Sequence, residues 1–225
     1  MNTYLDGEGG VFMEKSYTKI YTTGATVPLK IRPGHFATNH AHINYYIDVT
    51  TLKARTKEAE EVAQALVGMY LYDTVIDTIV CMEGTEVIGA FLAEELAKGG
   101  FLSTNAHKSI YVISPEFNNN SQIIFRDNLI PMIRDKHVMI LMASVTTGRT
   151  LNKAVESIQY YAGILQGASA IFSAMDSLDG VPIKSVFGKK DLPDYTYSDY
   201  RDCPLCKAGK KIDALVNTFG YSPMG

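Results

Sequence analysis

The chain has 225 residues, 46% hydrophobic and 20% charged, enough for one substantial core and at most a small additional lobe. A formal net charge of −3 with no Lys/Arg-rich block excludes a nucleic-acid surface as its main business, since neutralising phosphates takes clustered positive charge, but leaves room for a small anionic ligand. The opening MNTYLDGEGG is no basic-then-apolar leader, no apolar run is long enough to cross a bilayer, and three cysteines make no disulfide framework, so the expectation is a cytoplasmic protein with no membrane or nucleic-acid partner.

Residues 1–55 are short segments with aromatic and β-branched residues (Tyr17, Ile20, Tyr21, then Ile43 to Val49) broken by Gly24, Pro28, Pro33 and Gly34. They predict an N-terminal hairpin-rich lobe. At Thr56 the pattern changes. In TKEAEEVAQALVGMYLYD, Thr56 suits an N-cap, Glu58, Glu60 and Glu61 suit a first turn, and Ala59, Val62, Ala63, Leu66, Met69 and Tyr70 share a face, which predicts a helix over 56–73.

Strands at 78–82, 109–113, 138–142 and 168–173 then alternate with helices at 86–98 and 151–166, with an Asn118-Asn119-Asn120 loop and a short strand near Ile123 between them. Strands separated by helices imply an α/β fold with a central, mainly parallel sheet flanked by helices. Ligands in such folds sit beyond the carboxyl ends of the strands. The core is placed at 56–185, and 186–225 reads as an irregular C-terminal extension.

The stretch VMILMASVTTGRT, from Val138 to Thr150, is an apolar strand, a Thr/Gly turn and a helix start. Free N–H groups and the positive end of the helix dipole converge on Thr146-Thr147-Gly148-Arg149, and the Thr hydroxyls can donate to phosphate oxygens. On turn chemistry alone, helix capping explains the same residues at least as well.

The stretch resembles the phosphoribosyl diphosphate (PRPP) loop of type I phosphoribosyltransferases: a hydrophobic strand, two acids, two hydrophobics, then Thr-Thr-Gly-x-Thr. Gly34-His35-Phe36 with His42 to Asp48 is similar to the base-side hairpin of the orotate enzymes. Met82 to Ala93 is similar to their pyrophosphate loop and following helix, and Cys203-Pro204-Leu205-Cys206-Lys207-Ala208-Gly209 to a C-terminal element of many members.

The resemblance implies a 5-phosphate held by Ser144, Thr146, Thr147, Gly148, Arg149 and Thr150, a pyrophosphate by Glu83, Gly84, Thr85 and Glu86, and a base near His42 and Tyr46. It also implies a homodimer, and Mg²⁺ if the chain is active. Two departures stand out. Met142 and Ala143 occupy the acidic positions, and Ile113 to Asn120 lacks the cations of the catalytic loop. Neither side chain can hold a ribose hydroxyl. The expectation is therefore a protein that binds a phosphate-bearing ligand with transferase activity weak or lost; the alternative is an active transferase of 5-phosphoribose to a base such as orotate.

Other signals have plainer readings beside the functional ones. Glu83-Gly84-Thr85-Glu86 suits a capped helix start as well as a pyrophosphate or Mg²⁺ site. Cys203 and Cys206 have zinc-knuckle spacing but no second pair, so two reduced thiols packing a turn are the default; zinc, with help from His107, His137 or a partner chain, is the lesser reading. His35, His40 and His42 read as hairpin residues rather than a metal site.

Overall fold

The computed structural model describes residues 17–98, 103–106 and 108–224. The MNTYLDGEGG segment and His107 lie outside them.

The N-terminal lobe is a hood of antiparallel strands, β1 (Thr18–Ile20), β2 (Leu29–Ala37) and β3 (His42–Asp48). In β2 the buried Leu29 and Ile31 alternate with the partly exposed Lys30 and Arg32, the period of a sheet with one covered face. Pro33 faces Tyr45 and Phe36 faces Ile43, so Gly34 and His35 both stand opposite Asn44 in a bulge. A Cβ on Gly34 would lie 2.6 Å from the Phe36 ring, which restricts this position to glycine.

Two helices lead into the core, α1 (Thr50–Ala54) and α2 (Thr56–Val67). Thr56 is not the N-cap: the extended Arg55 holds that position without a side-chain cap bond, and Thr56 is already helical. α2 buries Ala59, Val62, Ala63 and Leu66, as the spacing predicts, but stops at Gly68 instead of reaching residue 73. The N–H groups of Met69 and Tyr70 turn back to the carbonyls of Leu66 and Val67, which brings the Tyr70 ring into the core with its hydroxyl on Ser169.

The core alternates β4 (Thr78–Cys81), α3 (Glu86–Lys98), β5 (Tyr111–Ile113), a small hairpin of β6 (Glu116–Phe117) and β7 (Ile123–Ile124), β8 (His137–Val145), α4 (Arg149–Tyr160), β9 (Ile164–Ser173), β10 (Ser177–Leu178) and β11 (Val181–Gly188). Its sheet runs β5-β4-β8-β9-β11 with every neighbour parallel, and β10 adds antiparallel to β11. Along β8, Met139 and Leu141 enter one apolar cluster with α2, α3 and the hood, while Val138, Ile140 and Met142 enter another with α4. A strand covered on both faces needs an unbroken apolar run, and VMILM supplies it.

Helix α4 ends at Tyr160, short of the expected residue 166, and Leu165 lies in β9. Its end is a Schellman motif: the Ala162 N–H bonds to the Gln159 carbonyl and the Gly163 N–H to the Ile158 carbonyl, with Ala162 at φ 60°. An alanine at the left-handed position, with the glycine one residue later, disguises the stop.

The C-terminal segment is not irregular. β11 belongs to the core sheet, β12 (Tyr197–Ser198) pairs with β3, and a short α5 (Pro204–Lys207) follows. β13 (Ala214–Asn217) then runs parallel to β2, and β14 (Gly220–Pro223) closes a hairpin on it. Strands from early and late in the described chain thus share the hood sheet.

Candidate functional site

β8 delivers the chain to the turn Thr146–Gly148, and α4 starts at Arg149. Gly148 is the helix N-cap at φ 74°, and a Cβ there would meet Leu178 at 2.9 Å. The first N–H groups of α4 have no intrahelical acceptor and face outward from this end. The Thr146 hydroxyl shares a 3.0 Å hydrogen bond with the buried Tyr195 hydroxyl, whose pKa burial pushes up to about 12.

This turn forms one wall of a cleft beneath the hood. Ser144, Thr146, Thr147, Gly148, Arg149 and Thr150 all line it, with Tyr46 and His40 on the hood side and Asn217 and Thr218 from the β13–β14 turn. The sequence residues proposed for a phosphate therefore come together. Met142 and Ala143 also face the cleft, and Met142 is buried in the α4-side apolar cluster.

The segment after β4 divides. Glu83 lines the cleft in a left-handed conformation, φ 59°. Burial raises its pKa above the ordinary carboxylate range, against the N–H groups of Ser144 and Ala143 and the charge of Lys53, which act to lower it. Thr85 points inward, its hydroxyl shared between the carbonyls of Met82 and Leu141 at 2.9 and 3.0 Å. Glu86 accepts a 2.6 Å bond from the Ser114 hydroxyl. Gly84, Thr85 and Glu86 are not among the residues that line the cleft.

Sequence reasoning missed Lys53. This half-buried lysine of α1 reaches the cleft and donates to the Glu83 carbonyl at 2.6 Å and the Thr218 carbonyl at 3.3 Å. Burial lowers its pKa, and Glu83, Glu86 and Asp48 oppose that shift. A lone lysine on a five-residue helix carries no sequence signal. His40, a hairpin residue by its sequence, also lines the cleft. Burial keeps its imidazole below the usual value, assisted by the charges of Arg149 and Lys153.

His42 does not face this cleft. Its Nδ1 lies 3.0 Å from His35 Nε2 and 3.2 Å from Cys206 Sγ, while His35 Nε2 is 3.5 Å from Cys203 Sγ and 3.6 Å from Cys206 Sγ. Two of the three hairpin histidines thus meet the Cys-x-x-Cys pair, and the donor atoms of all four residues lie within 4.8 Å of one another. His137 is elsewhere, with its ring Nδ1 on the Asp77 carboxylate at 2.7 Å.

No protein-family model and no curated protein matches the sequence. Solved structures do match the fold. A phosphoribosyltransferase from Corynebacterium diphtheriae is 14% identical with a TM-score of 0.52, over 72% of this chain and 90% of that one. The UMP synthase of Leishmania donovani is 18% identical with a TM-score of 0.52, over 72% of this chain and 34% of that one. The fold is that of the type I phosphoribosyltransferases, and at these identities the likeness concerns the fold alone. Among the described residues no helix is long and apolar enough to cross a membrane.

Proposed function

We propose that the chain binds a small phosphate-bearing ligand, PRPP or a nucleotide, in the cleft under the hood, with transferase chemistry weak or lost. One observation carries this reading: all six residues proposed for a 5-phosphate line the same cleft as Met142 and Ala143, which offer no carboxylate to a ribose hydroxyl. The phosphate would sit on the N–H groups of the α4 start and the Thr hydroxyls, with Arg149 beside it. Lys53 would face a diphosphate, and Tyr46 a base. A homodimer is part of the same proposal.

A second reading, an active transferase of 5-phosphoribose to a base such as orotate, is favoured by Glu83. Among the described residues it is the one carboxylate that lines the cleft, and it approaches the backbone of Ala143 and Ser144 from the neighbouring strand end. One carboxylate does not make a protein-held Mg²⁺ site, so any Mg²⁺ would arrive largely on ligand phosphates. Calorimetry with PRPP, ribose 5-phosphate, orotate and a nucleoside monophosphate, with and without Mg²⁺, tests both readings. The first expects phosphate-dependent binding without PRPP consumption; no binding of any phosphate ligand would end it.

A further inference from the structure

We propose that His35, His42, Cys203 and Cys206 hold one Zn²⁺ ion in a closed tetrahedral site that fastens the C-terminal segment to the hood. Two imidazole nitrogens and two sulfurs are a ligand set zinc favours, and four protein ligands leave no open coordination position, which makes the site structural. Zinc bonds of roughly 2.0–2.3 Å set tetrahedral edges of about 3.3–3.8 Å between such donors. Four of the six donor pairs span 3.0–3.6 Å, within a few tenths of an ångström of those edges, and all six lie within 4.8 Å.

The surroundings orient the donors as a metal requires. His35 is fully buried, and its Nδ1 lies 2.8 Å from the Lys210 carbonyl, which can only accept. That contact puts the proton on Nδ1 and leaves the Nε2 lone pair pointing at His42 and both sulfurs, the outer hydrogen bond usual for a zinc-bound histidine. His35 is pinned further by its backbone, whose N–H donates to the Asp213 carboxylate and whose carbonyl accepts from the Asp213 N–H, both at 2.7 Å. The Lys210 carbonyl is placed by the end of α5, where Gly209, at φ 72°, lets the Lys210 N–H return to Leu205.

The cluster joins β2 and β3 of the hood to the segment between β12 and β13. The turn after β13 carries Asn217 and Thr218 into the cleft wall, so the ion would hold that wall in place from a distance.

The test is the metal content of untagged protein expressed without added metal and dialysed against chelator-treated reducing buffer. About one zinc per chain is expected, with most of it lost in Cys206→Ser and in His42→Ala but retained in Cys81→Ser, whose thiol is buried elsewhere. Replacement by Co²⁺ is expected to give the strong visible bands of a tetrahedral site and a thiolate charge-transfer band in the near ultraviolet. Because the Co²⁺ spectrum is read on wild-type protein, variants that fail to fold do not blunt the test. Metal-free wild-type protein, a Cys203–Cys206 disulfide in reducing buffer, or the weak spectrum of octahedral Co²⁺ would overturn the proposal.

Discussion

The carboxylate of Glu83 accepts a hydrogen bond from the backbone N–H of Ser144 at 3.4 Å, tying the loop after β4 to the end of β8. The contact puts an acid in front of Ala143, where the strand's own side chains offer none. It is held there in an unfavourable state, since burial penalises the ionised form more than the nearby N–H groups and Lys53 compensate.

That imbalance predicts a pH-dependent stability. An acid whose pKa is higher in the folded than in the unfolded chain binds more protons when folded, so stability falls as pH rises from the ordinary carboxylate range through the folded value. Glu83→Gln keeps an oxygen for the Ser144 N–H and removes the titration. Its melting temperature should exceed that of wild type at neutral pH, with the difference shrinking as pH falls through the raised folded value and gone below about 4.3. A Gln variant less stable at neutral pH would mean that the Glu83 charge is stabilising.

Gly148 tests the cradle. Alanine there must adopt φ 74° and push against Leu178, while Gly24, at φ 91°, has nothing within 4 Å of an added Cβ. Both substitutions should cost about 1–2 kcal/mol of backbone strain in urea unfolding. Only Gly148→Ala should also weaken phosphate binding, by tenfold or more, in calorimetry with ribose 5-phosphate. Equal affinities in the two variants would place the anion elsewhere.

Lys53 separates the two ends of the ligand. Lys53→Met removes a half-buried charge near Gly84 and leaves the Glu83 and Thr218 carbonyls without its donor. PRPP and pyrophosphate should bind about tenfold more weakly, a loss of ~1.4 kcal/mol, with ribose 5-phosphate little changed. A uniform loss for all three ligands would assign Lys53 to the shape of the cleft.

The parts legible in the sequence are those whose signal is local. The apolar run of β8 and the Thr/Gly turn after it each declare themselves within about ten residues, and the structure has them as strand, turn and helix start. What escaped depends on distant partners. Cys203 and Cys206 gain His35 and His42 across more than 160 positions of chain, and β13 joins the hood beside β2 at the far end of the sequence. Lys53 becomes part of the cleft only because α1 lies beside the loop holding Glu83. The missed end of α4 is local, but Ala162 does a job usually given to glycine.

The last prediction concerns turnover. A transferase must steady positive charge on the ribose and negative charge on departing pyrophosphate, and losing one such contact typically costs about a hundredfold or more in rate. Here Met142 and Ala143 bring no carboxylate to the cleft, and Arg126, beside the β6–β7 hairpin, is bound to Glu116 by two contacts of 2.6 and 2.9 Å. Losses within one site do not simply add, yet several together should bring orotate-dependent PRPP consumption close to background. Adding acids with Met142→Glu and Ala143→Asp should give at most weak activity, because the 113–120 segment carries no Lys or Arg and residue 142 points into an apolar cluster that penalises a charge. Wild-type turnover on the order of 1–10³ s⁻¹, measured by release of pyrophosphate, would sink this prediction. It would make Glu83 the first residue to substitute, since no other carboxylate lines the cleft among the described residues.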